Sequence, residues 1–345
     1  MEIEQQKKNI IKWMYKKFPE LGGLKEFKKF DTGQSNPTYK LNFENKKLVL
    51  RSQPEGKLLR GAHRIDREFR VMSCLKNTKI PVPNMKTYCE DINIIGRDFY
   101  IMEFVDGIQE VDPILTKIPS NKKKQLYYNK LDILINLGQL NLKQLNLHDY
   151  GKQEKYMERQ LNLWINQYKM SETKTINSME FLIEKLVKHL PDIFDKLPVI
   201  LCHGDFRIDN MILDKKDKNK VIALIDWELS TLGIPFIDLS YWCLMLRFSN
   251  TWAIKGLGDL NKNKILENFP SEKNLFEKYS NILGFDIQRH WNYLLGFNCF
   301  RFASILQGIA KRVLDGNNAG NNASEVGELA EPVANMGELL IKDYI

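Results

Sequence analysis

The sequence predicts an α+β protein of two lobes, strand-rich first and mainly helical afterwards, with one charged hairpin set into the helical part. Three observations predict it. Turn residues alternate with strand-like runs from residue 26 to 52, and apolar residues recur at helical spacing from about residue 120 onward. The helical part is interrupted once, between 199 and 228, by short apolar runs that end in polar clusters. At 345 residues the chain exceeds what one ordinary small core organises, so division into two units is expected. The expected boundaries are 1–103 and 104–345. The join falls at about 103–107, where Asp106 and Gly107 break the strand pattern.

The elements follow in order. MEIEQQKKNIIKWM carries acids and reads as an amphipathic helix, not a targeting peptide. KEFKKFDTG, TYKLNF and KLVLRS, the last two joined by the Glu44-Asn45-Lys46 turn, read as an antiparallel meander. AHRIDREFRVMSCLK is helical, and PVPNMKTYCE and RDFYIMEFV are further strands. KKKQLYYNKLDILINLGQLNL and NSMEFLIEKLVKHL are helices, followed by others near 239–248 and 287–314. The Gly/Asn-rich GNNAGNNAS forms a loop before one last amphipathic helix.

Composition bounds the function classes. Hydrophobic residues make up 43% and charged residues 27%, close to globular averages. No apolar run approaches the roughly 18 residues needed to span a bilayer, so no membrane partner is expected. Cys74, Cys89, Cys202, Cys243 and Cys299 lack CxxC spacing, which favours reduced thiols in a cytoplasmic setting over a zinc site. The net charge is +8, but the lysines are spread along the chain without a nucleic-acid motif. No nucleic-acid partner is expected.

The chemistry concentrates around HGDFRIDN, residues 203–210, directly after the apolar run Val199 to Cys202. Charge beside a buried strand is costly unless it is paired or holds a metal. Met211 to Leu213 and Val221 to Ile225 read as two short strands, and the charged segment Asp214 to Lys220 can only be their turn. Such a hairpin brings its open ends together, so Asn210 and Asp226 become neighbours and Asp205 folds back over that end. An amide oxygen and a carboxylate suit Mg²⁺, which keeps waters and substrate phosphates as its other ligands. Asp205 is then free to orient a nucleophile and accept its proton.

Two further features lie in the first lobe. Glu68 sits on the inward stripe of its helix with Ile65 and Leu75, where an acid needs a cationic partner. Arg51, at the end of LVLR, is the expected partner, and a cation so held can clamp nucleotide phosphates. DTGQSNPTY, residues 31–39, connects two strands; Gly33 permits close backbone approach, and Ser35 and Asn36 offer donors to phosphate oxygens.

With these residues placed, HGDFRIDN followed by VIALIDWELSTLG resembles the catalytic and metal loops of the aminoglycoside phosphotransferase-like enzymes, which have a bilobal protein-kinase-like fold. GQSNPTY, LVLR, AHRIDREFRVM and FYIMEF match that family's first lobe in order. Within the group the chain most resembles the phosphotransferase domain found alone or fused to acyl-CoA dehydrogenases, over roughly residues 20–315. The resemblance implies ATP and Mg²⁺ as cofactors, Asp205 as catalytic base with Arg207 beside it, and Asn210 and Asp226 as metal ligands. Glu68 would hold the phosphate-binding cation, and Glu103 to Asp106, Phe104 included, would read adenine through main-chain groups. His203 would brace the loop and Asp238 would anchor it from below. Arg51 stands where many family members carry lysine, which alters the shape of the clamp.

The implied reaction moves the γ-phosphoryl group of ATP to a hydroxyl of a small-molecule alcohol. Aminoglycosides are polycations and call for clustered acids, whereas this chain is basic. Arg301, Gly308 and Arg312 share one face of a late helix, and two cations there would hold an anionic group. An anionic alcohol such as a hydroxyacyl-CoA is therefore the expected acceptor. The alternatives are an aminoglycoside or choline-type kinase and, from another class, a nucleotide-binding pseudokinase.

Overall fold

The computed structural model describes residues 3–30, 36–55, 63–260, 264–316 and 322–345, so Gly33 and Ser35 lie outside the described residues. Helix α1 (Ile3–Lys17) precedes the expected meander of β1 (Leu24–Lys29), β2 (Thr38–Phe43) and β3 (Lys47–Ser52). Helix α2 (Ile65–Leu75), strand β4 (Met85–Cys89), a short helix α3 (Ile92–Ile95) and strand β5 (Phe99–Glu103) follow. The five strands form one sheet in the order β1-β2-β3-β5-β4, every pairing antiparallel. Because side chains alternate along a strand, Leu41 and Phe43, Leu48 and Leu50, and Phe99 and Ile101 share one face. Ile10 and Met14 of α1 cover that face. Each such buried side chain contributes roughly 1.5–3 kcal/mol.

The other side of the sheet faces α2, which buries Ile65, Glu68, Val71, Met72 and Leu75. These apolar residues and Tyr100 join the large core of the helical part, so the two regions share one packed interior.

Strand β6 (Ile108–Gln109) leads into helices α4 (Ser120–Gly138), α5 (Tyr156–Ser171) and α6 (Asn177–Lys188). Then come β7 (Ile200–Cys202), β8 (Met211–Leu213), β9 (Val221–Leu224) and β10 (Thr231–Gly233). Helices α7 (Ile237–Arg247), α8 (Glu272–Leu283), α9 (Trp291–Leu314), α10 (Ala323–Glu328) and α11 (Ala330–Tyr344) complete the chain. Helices α3, α5 and α8 add to the expected elements, and the single terminal helix is divided into α10 and α11. Helix α9 runs through the interior, with Leu294, Phe297, Phe300 and Ala303 fully buried.

The predicted hairpin is present, Met211 pairing with Leu224. Strand β6 adds to its other edge, with Ile108 opposite Leu213. Gly107 makes this possible, because a Cβ there would collide with Ile212 and the Leu213 carbonyl. On the far edge the Leu224 N–H donates to the Pro81 carbonyl at 2.7 Å, a tie between the hairpin and the first lobe. Among the described residues, no helix is long and apolar enough to cross a membrane.

Candidate active site

The ladder fixes Arg51 first. It lies opposite Thr38 on one side and Tyr100 on the other. Its side chain extends under the sheet toward α2, where Nε meets Glu68 Oε2 at 2.9 Å. The predicted pair is thus formed, with Arg51 7% and Glu68 1% exposed. Arg51 also reaches across the cleft, Nη2 lying 2.8 Å from Asp226 Oδ1 and 3.7 Å from Glu228 Oε2. Burial alone would lower the guanidinium pKa, but Glu68, Asp226 and Glu228 outweigh it and hold Arg51 firmly charged. Burial pushes the Glu68 carboxyl up, and Arg51 opposes that shift.

The loop after β7 is held from beneath. Asp238, at the start of α7, accepts the His203 and Gly204 N–H groups at 2.7 and 2.9 Å. Gly204 has φ 85°, and a Cβ there would strike the Leu229 carbonyl, so only glycine lets the loop pass. The His203 ring bridges two segments, with Nε2 3.0 Å from the Ile225 carbonyl and Nδ1 3.2 Å from the Asp205 N–H. Those partners define the tautomer: Nε2 carries the proton and Nδ1 accepts. His203 is therefore a brace, and Asp238 an anchor from below.

Asp205 is pinned on both oxygens. Tyr241 donates to Oδ1 at 2.9 Å, and Asn210 donates from Nδ2 to Oδ2 at 2.9 Å and to the Asp205 carbonyl at 2.9 Å. Arg207 approaches Oδ1 at 3.1 Å with Nε and Asp209 at 2.9 Å with Nη2. Burial would raise the Asp205 carboxyl, yet Arg207, Tyr241 and Asn210 together hold it below its usual range. Because a depressed carboxyl loses its charge only as pH falls through that lowered value, Asp205 stays ionised at neutral pH. A pH–rate profile should show no acid limb from this group above about pH 5. A limb near pH 6 would contradict the geometry.

The hairpin's open end carries the other groups. The Ile225 N–H donates to the Asn210 carbonyl at 2.9 Å, which joins the two strand ends. Asp226 then turns with φ 64°, a left-handed conformation costing a non-glycine residue roughly 1–3 kcal/mol. Its side chain remains 29% exposed, against 18% for Asp205.

One cavity of about 610 Å³ gathers these residues: Arg51, Glu68, Glu103, Phe104, Asp205, Arg207, Asn210 and Asp226 all line it. The Glu103 carboxylate turns away to Lys86 at 2.5 Å, and its N–H is bonded to the Asn84 carbonyl at 2.9 Å. The Phe104 N–H is already bonded to the Lys47 carbonyl. Asn36 is fully buried and tied to Glu228 and His63, so it is not presented to the cavity. The sequence reading passed over Glu228, Asp209 and Tyr241; Glu228 and Asp209 stood in view as charges flanking the motifs, whereas Tyr241 looks like any apolar position of α7.

The two late arginines are not brought together at an acceptor site. Arg301 is buried, donates from Nη2 to the Gly204 carbonyl at 2.6 Å, and packs between the Trp164 and Tyr241 rings. Arg312 is exposed on the last turns of α9. Shared helical phase did not place them together because α9 is buried at one end and solvated at the other. Arg301→Ala should cost roughly 2–4 kcal/mol in unfolding free energy, from a lost charged hydrogen bond and ring contacts. It should lower turnover with every acceptor alike; a selective rise in one acceptor's KM would argue against this structural role.

A divalent cation fits the donor set. Asn210 directs its amide nitrogen to Asp205, leaving Oδ1 for another partner, and Asp226 keeps one oxygen clear of Arg51. No group of three or more His, Cys, Asp or Glu side chains suited to a metal occurs among the described residues. Were Mg²⁺ bound there, Asn210 and Asp226 would supply two oxygens and leave its other positions to phosphate and water.

An antiparallel sheet lobe on a helical lobe, with this cavity between them, defines a kinase-like phosphotransferase fold of the type that acts on hydroxyl groups of small molecules. The model of the Phosphotransferase enzyme family matches residues 26–263, and the chain belongs to that family. Acyl-CoA dehydrogenase family member 10 of Mus musculus is 39% identical over 315 residues, 91% of this chain and 29% of that protein. Acyl-CoA dehydrogenase family member 11 of Homo sapiens is 35% identical over 314 residues, 91% of this chain and 40% of that protein. The chain thus spans less than half the length of these relatives. A provisionally named aminoglycoside phosphotransferase from Ralstonia eutropha superposes with a TM-score of 0.86 at 35% identity, covering 98% of each chain. A thermostable aminoglycoside phosphotransferase mutant, solved with ADP and hygromycin B, shares the fold at TM-score 0.60 and 12% identity, over 95% of this chain and 97% of that one.

Proposed function

We propose that the chain moves the γ-phosphoryl group of ATP to the hydroxyl of a small anionic alcohol, a hydroxyacyl-CoA or a related acid. The observation that carries the phosphoryl-transfer part of this reading is the convergence of Arg51, Asp205, Asn210 and Asp226 on one cavity, and the chain's net charge of +8 supports an anionic acceptor. Residues 1–103 would form the nucleotide lobe and 104–345 the acceptor lobe. Asp205 orients the acceptor hydroxyl and takes its proton while oxygen bonds to the γ-phosphorus and the bond to the bridging oxygen breaks. Arg207 keeps Asp205 ionised. Arg51, steadied by Glu68, faces the phosphates, and the main chain near Glu103 to Val105 faces the base. Asn210 and Asp226 would hold Mg²⁺, which when bound neutralises charge on the transferring phosphates.

Structural neighbours solved with ADP or AMP-PNP support the nucleotide. A pseudokinase would have no use for an ionised, doubly pinned Asp205. A cationic acceptor such as choline or an aminoglycoside is the competing reading. An ATP-depletion screen across choline, sugars, amino alcohols, aminoglycosides and hydroxyacyl-CoAs decides between them. Turnover with an acid and not with polycations is expected; the reverse would overturn the acceptor assignment. Stripping divalent ions with EDTA should abolish turnover. In Asp226→Ala, calorimetry should find ADP affinity insensitive to Mg²⁺, and an unchanged Mg²⁺ response would remove Asp226 from the metal site.

A further inference from the structure

We propose that Asn36 is a positioning residue for the nucleotide: its buried amide holds Glu228 back from Arg51, which keeps the guanidinium turned to the phosphates. This deepens the phosphotransferase reading and rests on it, since Arg51 is the phosphate clamp of that reading. The sequence suggests Asn36 as a direct donor to phosphate, yet its side chain is fully buried and does not line the nucleotide cavity. Thr38, Arg51, Asp226 and Glu228 do line it.

The amide's orientation follows from its partners. Nδ2 lies 3.1 Å from Glu228 Oε2, and an ionised carboxylate can only accept, so the nitrogen end faces it. Oδ1 lies 3.0 Å from His63 Nδ1, which supplies the matching donor. Both ends of the side chain are thus fixed. The Asn36 carbonyl adds a third tie, accepting from the Thr38 hydroxyl at 2.9 Å. Thr38 Oγ1 in turn accepts from Arg51 Nη1 at 3.4 Å.

Among the described residues, three carboxylates surround the Arg51 guanidinium, and their distances are unequal. Glu68 and Asp226 stand at 2.9 and 2.8 Å, whereas Glu228 stands at 3.7 Å. The Glu228 oxygen that approaches Arg51 is Oε2, the same atom that takes the Asn36 amide. The amide therefore competes directly with Arg51 for that atom. Coulomb attraction varies inversely with distance, so closing from 3.7 to 2.8 Å would strengthen the Glu228–Arg51 pair by about a third. A guanidinium drawn onto a third carboxylate has fewer donors and less charge to offer a phosphate. An amide suits this restraint because it donates without bringing a charge of its own to the clamp.

The test measures ADP affinity of the full chain by calorimetry in the presence of Mg²⁺. Asn36→Ala and Asn36→Leu, neither of which supplies a side-chain donor or a charge, should each weaken ADP about tenfold. In the Glu228→Gln background the same two substitutions should change the affinity by less than about twofold, because the competing charge is gone. Glu228→Gln alone keeps an oxygen for the Asn36 amide and should tighten ADP about threefold. A merely structural Asn36 would weaken ADP equally in both backgrounds, since glutamine at 228 neither refills the space nor satisfies His63. That equal loss, wild-type affinity in both single Asn36 variants, or unchanged or weaker binding by Glu228→Gln overturns the proposal. Urea unfolding checks each fold, and if neither Asn36 variant folds, the Glu228→Gln titration decides. Failure of the wild-type protein to bind ADP would instead sink the phosphotransferase reading itself.

Discussion

Replacing Asp205 with asparagine should lower phosphoryl transfer by about 10²- to 10⁴-fold while ADP affinity stays within about threefold. Asparagine keeps the volume and an oxygen for the Tyr241 hydroxyl, whose bond to Asp205 is 2.9 Å. What it removes is the basic oxygen that would receive the acceptor's proton. It also leaves Arg207 with Asp209 as its remaining carboxylate partner, because the 3.1 Å contact to Asp205 loses its charge. The comparison to make is single-turnover transfer to any active acceptor beside calorimetric ADP binding. Wild-type transfer in this variant would eliminate Asp205 as the base, and loss of both measurements together would mean that the loop had collapsed.

The second large effect is expected from Asp238. Its two oxygens each accept one buried N–H of the catalytic loop, from His203 and Gly204. In Asp238→Ala both donors are left buried without acceptors, a loss of roughly 2–6 kcal/mol at 1–3 kcal/mol each. Asp238→Asn retains one acceptor oxygen and should lose about half as much. Urea unfolding monitored through the tryptophans reads this as a falling midpoint at constant slope. Equal midpoints for the alanine and asparagine variants would show that the two N–H groups find other acceptors, and that Asp238 does not set the loop.

Much of this site was legible in the sequence because local patterns imply local geometry. A charged turn between two short apolar runs must close a hairpin, and closing it brings Asn210 to Asp226. An acid on the apolar stripe of α2 must find a cation, and Arg51 was the cation within reach. Arg301 and Arg312 misled for the same reason in reverse. Their common helical phase is a local property, whereas what each faces depends on how deeply that part of α9 is buried. Asn36 likewise looked like a phosphate donor, until a partner 192 residues away, Glu228, claimed its amide.

The ties between the hairpin and the first lobe bear on how the cleft admits its contents. The Leu224 N–H binds the Pro81 carbonyl, and α2 shares its core with the helices below. Swinging the upper half away as a jaw would break that hydrogen bond and expose packed apolar surface together. Opening the cleft thus carries a packing cost, and part of the cleft's shape is set by contacts the fold has already made.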